Sequence, residues 1–80
     1  MNKNDVVKII AVALEVEDAH INYNTHMDEI EKWDSLGHLS ILIKLDEEFE
    51  GKASGLKALA EAKSVSEICD VLLKAKLILG

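Results

Sequence analysis

Apolar residues recur at three- and four-residue spacing from the start of this chain. Val6, Ile9, Ile10, Ala13 and Leu14 form one stripe, and Val7 and Val12 widen it. That spacing marks one face of an α-helix, with Asn2 or Asn4 as its N-cap. The periodicity fades near Val16. Residues 17–32 then read as a long loop carrying Asn22, Asn24, Thr25 and Asp28, with Ile21, Tyr23, Met27, Ile30 and the following Trp33 as apolar anchors. A loop this long inside a small domain is uncommon and often functional. A short helical turn is expected near Asp28–Lys32.

A second helix is predicted from Asp34 or Ser35, both favourable N-cap types. Leu36, Leu39 and Ile43, together with Leu42, Leu45 and Phe49, read as one broad apolar face. Asp46, Glu47, Glu48 and Glu50 crowd the last turn, where anions oppose the helix dipole at about 0.3 kcal/mol or more each. Gly51 is expected as the C′ residue. Ser54 or Gly55 opens a short third helix bearing Leu56, Leu59 and Ala60. Ser64 and Glu67 match a capping box at the start of a fourth helix, whose core face is Ile68, Val71, Leu72, Ala75 and Leu79. The predicted fold is all-α: a small four-helix bundle of three longer helices and a short third one. A long loop joins helices one and two, and residues 1–80 form a single domain.

Composition narrows the function classes. The chain has 80 residues, no proline and one each of Phe, Trp and Tyr, so aliphatic side chains must fill one modest core. Its net charge of −6 repels phosphates, and no Lys/Arg cluster offers a local exception, which argues against nucleic-acid binding. The acidity is uneven. Residues 1–33 and 34–50 carry −4 each, residues 51–63 carry +2 and the rest is neutral. Such an imbalance suits steered association with basic partners. A single cysteine gives no intramolecular disulfide. No apolar run approaches the roughly 20 residues of a membrane span, and Met1–Asp5 lacks the long apolar region of a signal peptide. A monomer in the cytoplasm is the expectation.

The candidate chemistry sits at Ser35. A hydroxyl at a helix N-terminus faces unsatisfied N–H groups and the positive end of the dipole, and a phosphodiester placed there is stabilised by the same field that binds anions. From the residues alone, Asp34 and Ser35 read equally as ordinary caps. His20, His26 and His38 lack the tight spacing of metal ligands and have no second cysteine to help, so no metal site is expected. His38, one turn from Ser35, is expected on the helix surface. Cys69 is expected to act as a small hydrophobe. No residue set suggests catalysis, and the chain does not read as an enzyme.

The run Trp33-Asp34-Ser35-Leu36-Gly37-His38-Leu39, continued by Leu45-Asp46-Glu47-Glu48-Phe49, resembles the acyl carrier protein family. In that family a similar Asp-Ser-Leu opens the second helix and a similar acidic ending closes it. The resemblance implies that Ser35 is the attachment site of 4′-phosphopantetheine, delivered from coenzyme A by a phosphopantetheinyl transferase, and that Asp34 helps the transferase engage. It implies that Leu36, Asp46, Glu47 and Glu48 meet acyl-loading and acyl-processing enzymes with basic docking surfaces. It further implies that Leu39, Ile43, Leu59 and Ile68 line the space that shelters an acyl chain. Two departures point away from a housekeeping fatty-acid carrier. Glu31-Lys32-Trp33 stands where many such carriers have small residues, and the third segment is basic through Lys52, Lys57 and Lys63. The expected cargo is therefore an acyl, aminoacyl or hydroxyacyl unit of a fatty-acid, polyketide or other specialised pathway. The alternative is an unmodified helical interaction or regulatory module with the same fold.

Overall fold

The computed structural model describes every residue except Ser54 and Gly80, so the expected start of the third helix at Ser54 lies outside the described residues. Among the described residues four α-helices form: α1 (Lys3–Leu14), α2 (Ser35–Glu48), α3 (Lys57–Glu61) and α4 (Val65–Lys74). No β-strand occurs among the described residues. None of the helices is long and apolar enough to cross a membrane.

Local chemistry explains most of the boundaries. α1 starts at Asn2 through a reciprocal capping box. The Asn2 Oδ1 accepts from the Asp5 N–H at 3.1 Å, and the Asp5 Oδ2 accepts from the Asn2 N–H at 2.9 Å. α4 starts at Ser64, whose Oγ accepts from the Glu67 N–H at 3.2 Å. The expected return bond differs, because the Glu67 carboxylate accepts from the Ser64 hydroxyl at 3.2 Å. α3 does not start at Gly55 as expected: Leu56 is its N-cap, with no side-chain cap, and Lys57 is its first residue.

Three helices end in the same way. Val16 N–H reaches Ala11 C=O (3.0 Å), Gly51 N–H reaches Asp46 C=O (2.8 Å) and Leu77 N–H reaches Leu72 C=O (2.9 Å). These are Schellman closures, which need a left-handed residue at C′. That residue is Glu15, Glu50 and Lys76 respectively, with φ of 58°, 55° and 61°. Gly51 (φ 85°) is thus one position later than expected, beside a non-glycine C′ residue.

α1 packs on α2 and α4, and α3 bridges α2 and α4. Val6, Ile10, Ala11 and Leu14 of α1 meet Ile41 and Leu45 of α2, Leu59 of α3, and Val65, Ile68, Cys69 and Leu72 of α4 in one buried cluster. Each large aliphatic side chain fully buried there contributes about 1.5–3 kcal/mol.

The long first connection is ordered by its anchors. It contains two 3-10 turns, Asp18–His20 and Met27–Glu29. The second starts one residue before the expected window and is capped by His26, while the first has no side-chain cap and left no cap signal in the sequence. Ile21 and Trp33 are buried, and Tyr23, Met27 and Ile30 are half-buried. Lys3 Nζ stands 4.8 Å from the centre of the Tyr23 ring, a cation–π contact that holds the loop to α1. Backbone bonds from Met27 N–H to Lys63 C=O (2.8 Å) and from Val65 N–H to Thr25 C=O (3.0 Å) tie the loop to the α3–α4 junction.

Several core assignments change. The inward face of α2 is His38, Ile41 and Leu45, followed by Phe49; Leu36, Leu39 and Ile43 are 75%, 52% and 55% exposed. α2 carries two apolar stripes, and periodicity alone does not rank them. Val12 points to solvent from α1. At the C-terminal end α4 stops at Lys74 and the chain turns, so Ile78 enters the core and Leu79 is exposed. Leu79 N–H instead donates to Met1 C=O at 2.9 Å.

Candidate functional site at the start of helix α2

Asp34 is the N-cap of α2, and its Oδ1 accepts from the Gly37 N–H at 2.8 Å. Ser35 is therefore the first helical residue, exposed, and its hydroxyl has no hydrogen-bond partner among the described residues. The capping role falls to Asp34 alone, which leaves the Ser35 oxygen available at the positive end of a 14-residue helix. Ser35 opens onto a depression of about 270 Å³ whose wall includes Met27, His38, Ala60 and Lys63. On the other side of Asp34, Lys32 lines a second depression with Leu36 and Gly37. Lys63 thus shares the Ser35 depression, whereas the Lys32 amine donates to the Glu15 carbonyl at 3.4 Å on the other side of Asp34.

Gly37 fixes how close the loop comes to this turn. A Cβ at Gly37 would stand 2.1 Å from the carbonyl oxygen of Lys32. Only a glycine lets residues 32–33 lie against the first turn of α2, which sets the direction in which Asp34 and Ser35 face.

Beneath Ser35 lies a bridge that sequence reading missed. The Trp33 Nε1–H donates to His38 Nδ1 at 3.0 Å, and His38 Nε2 is 2.8 Å from the Leu59 carbonyl oxygen. The indole is only a donor, so Nδ1 is the bare nitrogen and Nε2 carries the hydrogen that Leu59 accepts. The two rings are nearly coplanar (12°) with centroids 6.2 Å apart. This is the geometry of an in-plane N–H···N bond rather than a face-to-face stack. His38 is 9% exposed and belongs to the interior, not to the helix surface as expected. Both ring nitrogens are satisfied, which makes a core position tolerable for an imidazole. No spacing rule signals this pairing; the one clue is a Trp and a His on either side of a helix start.

The residues expected to shelter a chain separate. Ile43 and Leu59 line one apolar cavity of about 380 Å³ between α2 and α3, together with Leu42, Ala53, Leu56 and Ala60, and with Asp46 and Lys57 among the polar residues of its wall. Leu39 lies outside that lining and is exposed, and Ile68 is fully buried on α4. On the outer face of α2, Leu36, Leu39 and Ile43 run toward the exposed Glu47 and Glu48 and the half-buried Asp46. Cys69 is buried in the core, and burial pushes its thiol up to about 11, with Lys3 lowering it and Asp70 raising it. His20 is exposed on its own 3-10 turn, and His26 caps the other.

Comparison with protein-family models, with curated proteins and with solved structures returned no match.

Proposed function

We propose that this protein is a stand-alone acyl carrier with a four-helix bundle of the carrier type, modified at Ser35 by 4′-phosphopantetheine. The observation that carries this reading is the exposed, unpartnered Ser35 hydroxyl at the first position of α2, with Asp34 already serving as the cap. A seryl oxygen used as the cap itself would have to give up its backbone bond on modification; this one gives up none. The residues fit the group. The helix dipole and Lys63, which lines the same depression, stabilise a phosphodiester, and that open depression beside Ser35 leaves room for it.

When bound, the arm supplies a thiol that holds an acyl, aminoacyl or hydroxyacyl group as a thioester. The chain's own residues anchor and present it. Ser35 is the tether point, so cargo reacts at a raised effective concentration. Asp34 holds the first turn of α2 in place through Gly37 and offers a carboxylate to the transferase. The stripe Leu36, Leu39 and Ile43 gives partners an apolar contact, and Asp46, Glu47 and Glu48 speed encounter with basic docking surfaces. On this reading the protein works as a cytoplasmic monomer, does no chemistry of its own and takes part in fatty-acid, polyketide or other specialised biosynthesis.

Intact-mass measurement after incubation with coenzyme A, magnesium and a broad-specificity phosphopantetheinyl transferase tests the reading. The native chain should gain one phosphopantetheine and Ser35→Ala should gain none. No gain, with the transferase active on a control carrier, would overturn the proposal and leave the unmodified interaction module in its place.

A further inference from the structure

The interior between α2 and α3 is bolted shut below Ser35. A single imidazole, His38, joins the incoming loop through Trp33, its own helix, and α3 through the Leu59 carbonyl. α3 has five residues and no side-chain cap at its start, and the His38–Leu59 bond ties its backbone to α2. His38 lines the depression onto which Ser35 opens. Leu59, whose carbonyl accepts the bond, lines the apolar cavity one turn further along α2, and Ala60 borders both spaces. His38 and Leu59 therefore form the partition between the attachment point and the apolar interior. A chain passing inward beneath His38, rather than over the exposed Ala60, has to part α2 from α3. That movement breaks a buried hydrogen bond and leaves an imidazole N–H and a backbone carbonyl without partners, the costly way to lose such a bond.

Resting on the carrier reading above, we infer that His38 is a gate that limits cargo size. The protein carries short acyl units held outside its core, and a long acyl chain is not admitted beneath Ser35. Trp33 is the positioning residue of this gate, because its N–H fixes which nitrogen of His38 faces Leu59.

Acetyl- and decanoyl-phosphopantetheine, transferred to Ser35 from the corresponding acyl-coenzyme A, provide the test. The readouts are the mass gain and the NMR signals of the Trp33 indole N–H, of the cavity-lining Leu42, Ile43 and Leu59 methyls, and of the Ile41, Leu45, Ile68 and Leu72 methyls of the core. In the wild-type chain both cargoes should leave these signals where the acyl-free modified protein has them, including when decanoyl perturbs only Leu36 and Leu39, which are exposed and lie outside the cavity lining. His38→Leu keeps the side-chain bulk but removes both bonds; decanoyl, and not acetyl, should then shift the core methyls. His38→Gln retains an amide donor toward Leu59 and should restore exclusion. Core shifts caused by decanoyl in the wild-type chain would overturn the gate while leaving the carrier reading intact, and this arm is independent of whether His38→Leu folds. Unshifted core methyls in a folded, decanoylated His38→Leu would also overturn it. Absence of any mass gain would remove the carrier reading and this inference with it.

Discussion

Two positions show how much one atom decides at the scale of the residue. At Gly37 the missing Cβ is what lets the Lys32 carbonyl approach, since the added carbon would stand 2.1 Å from that oxygen and 3.0 Å from the Leu14 side chain. Gly37→Ala is expected to lower stability by at least about 1–3 kcal/mol, as overpacking against a backbone does, while Ser40→Ala on the exposed side of α2 stays within about 0.5 kcal/mol. Urea denaturation of the two variants checks this, and equal midpoints would refute it. At Cys69 burial raises the thiol from its ordinary 9.0 to about 11. The unfolded chain therefore releases this proton first as pH rises. The stability linked to it is intact below pH 9 and is lost as pH climbs toward 11, by on the order of 2–3 kcal/mol. Other groups titrate in the same range, so the measurement is the difference between the wild-type chain and Cys69→Ala. Their stabilities should converge between pH 9 and 11, and parallel curves would show that the thiol does not contribute.

The helices α1, α2 and α4 begin by side-chain capping and end under mild strain. Asn2, Asp34 and Ser64 each accept a hydrogen bond from a backbone N–H of the turn they start, and each was legible as a cap type in the sequence. The ends were less legible. Glu15, Glu50 and Lys76 take the left-handed conformation that Schellman closure requires, although none is glycine. An L-residue there costs roughly 1–2 kcal/mol, and glycine removes that cost while adding its own entropy penalty of about 0.5–1 kcal/mol. Glu50→Gly is therefore expected to raise stability by about 0.5–1 kcal/mol, and Glu50→Ala, which keeps a Cβ, to change it little. Thermal unfolding distinguishes them; a glycine variant no more stable than the alanine variant would show that the turn carries no strain. The position of Gly51 next to this turn explains why it was read as C′: glycine is the usual signal there, and the residue before it does the work instead.

For the whole molecule, the long first loop and the short α3 are held by contacts distant in sequence. The loop pairs with the α3–α4 junction through Met27 and Val65, and the Trp33–His38–Leu59 bridge spans residues 33 to 59. Trp33→Phe leaves His38 Nδ1 buried without a donor and is expected to lower stability by about 1–3 kcal/mol. Because His38→Leu removes the same bond, the double variant should lose less than the two single losses combined, with a coupling of about 0.5–3 kcal/mol. Additive losses in a denaturation cycle would break the link between the two side chains. The uneven charge acts at this scale too. Glu47, Glu48 and Glu50 are exposed at the end of α2, beyond an apolar stripe that faces solvent. That arrangement works against helix stability, since anions in the last turn oppose the dipole.

The sequence by itself determined what is local. Helical periodicity, cap chemistry and the placement of Ser35 at the start of the second helix all depend on residues within a turn or two of one another, and those survive without knowledge of the rest of the chain. Tertiary structure alone decided which of the two apolar stripes of α2 faces inward. His38 lies on that inward face with Ile41 and Leu45, and its two nitrogens find Trp33 on one side and Leu59 on the other. The same holds for the exposure of Leu39 and Ile43, the separation of Ile68 from the α2–α3 cavity, and the exchange of Leu79 for Ile78 in the core. A buried polar side chain is stable only where distant donors and acceptors meet it, and that meeting is not written in the spacing of either partner.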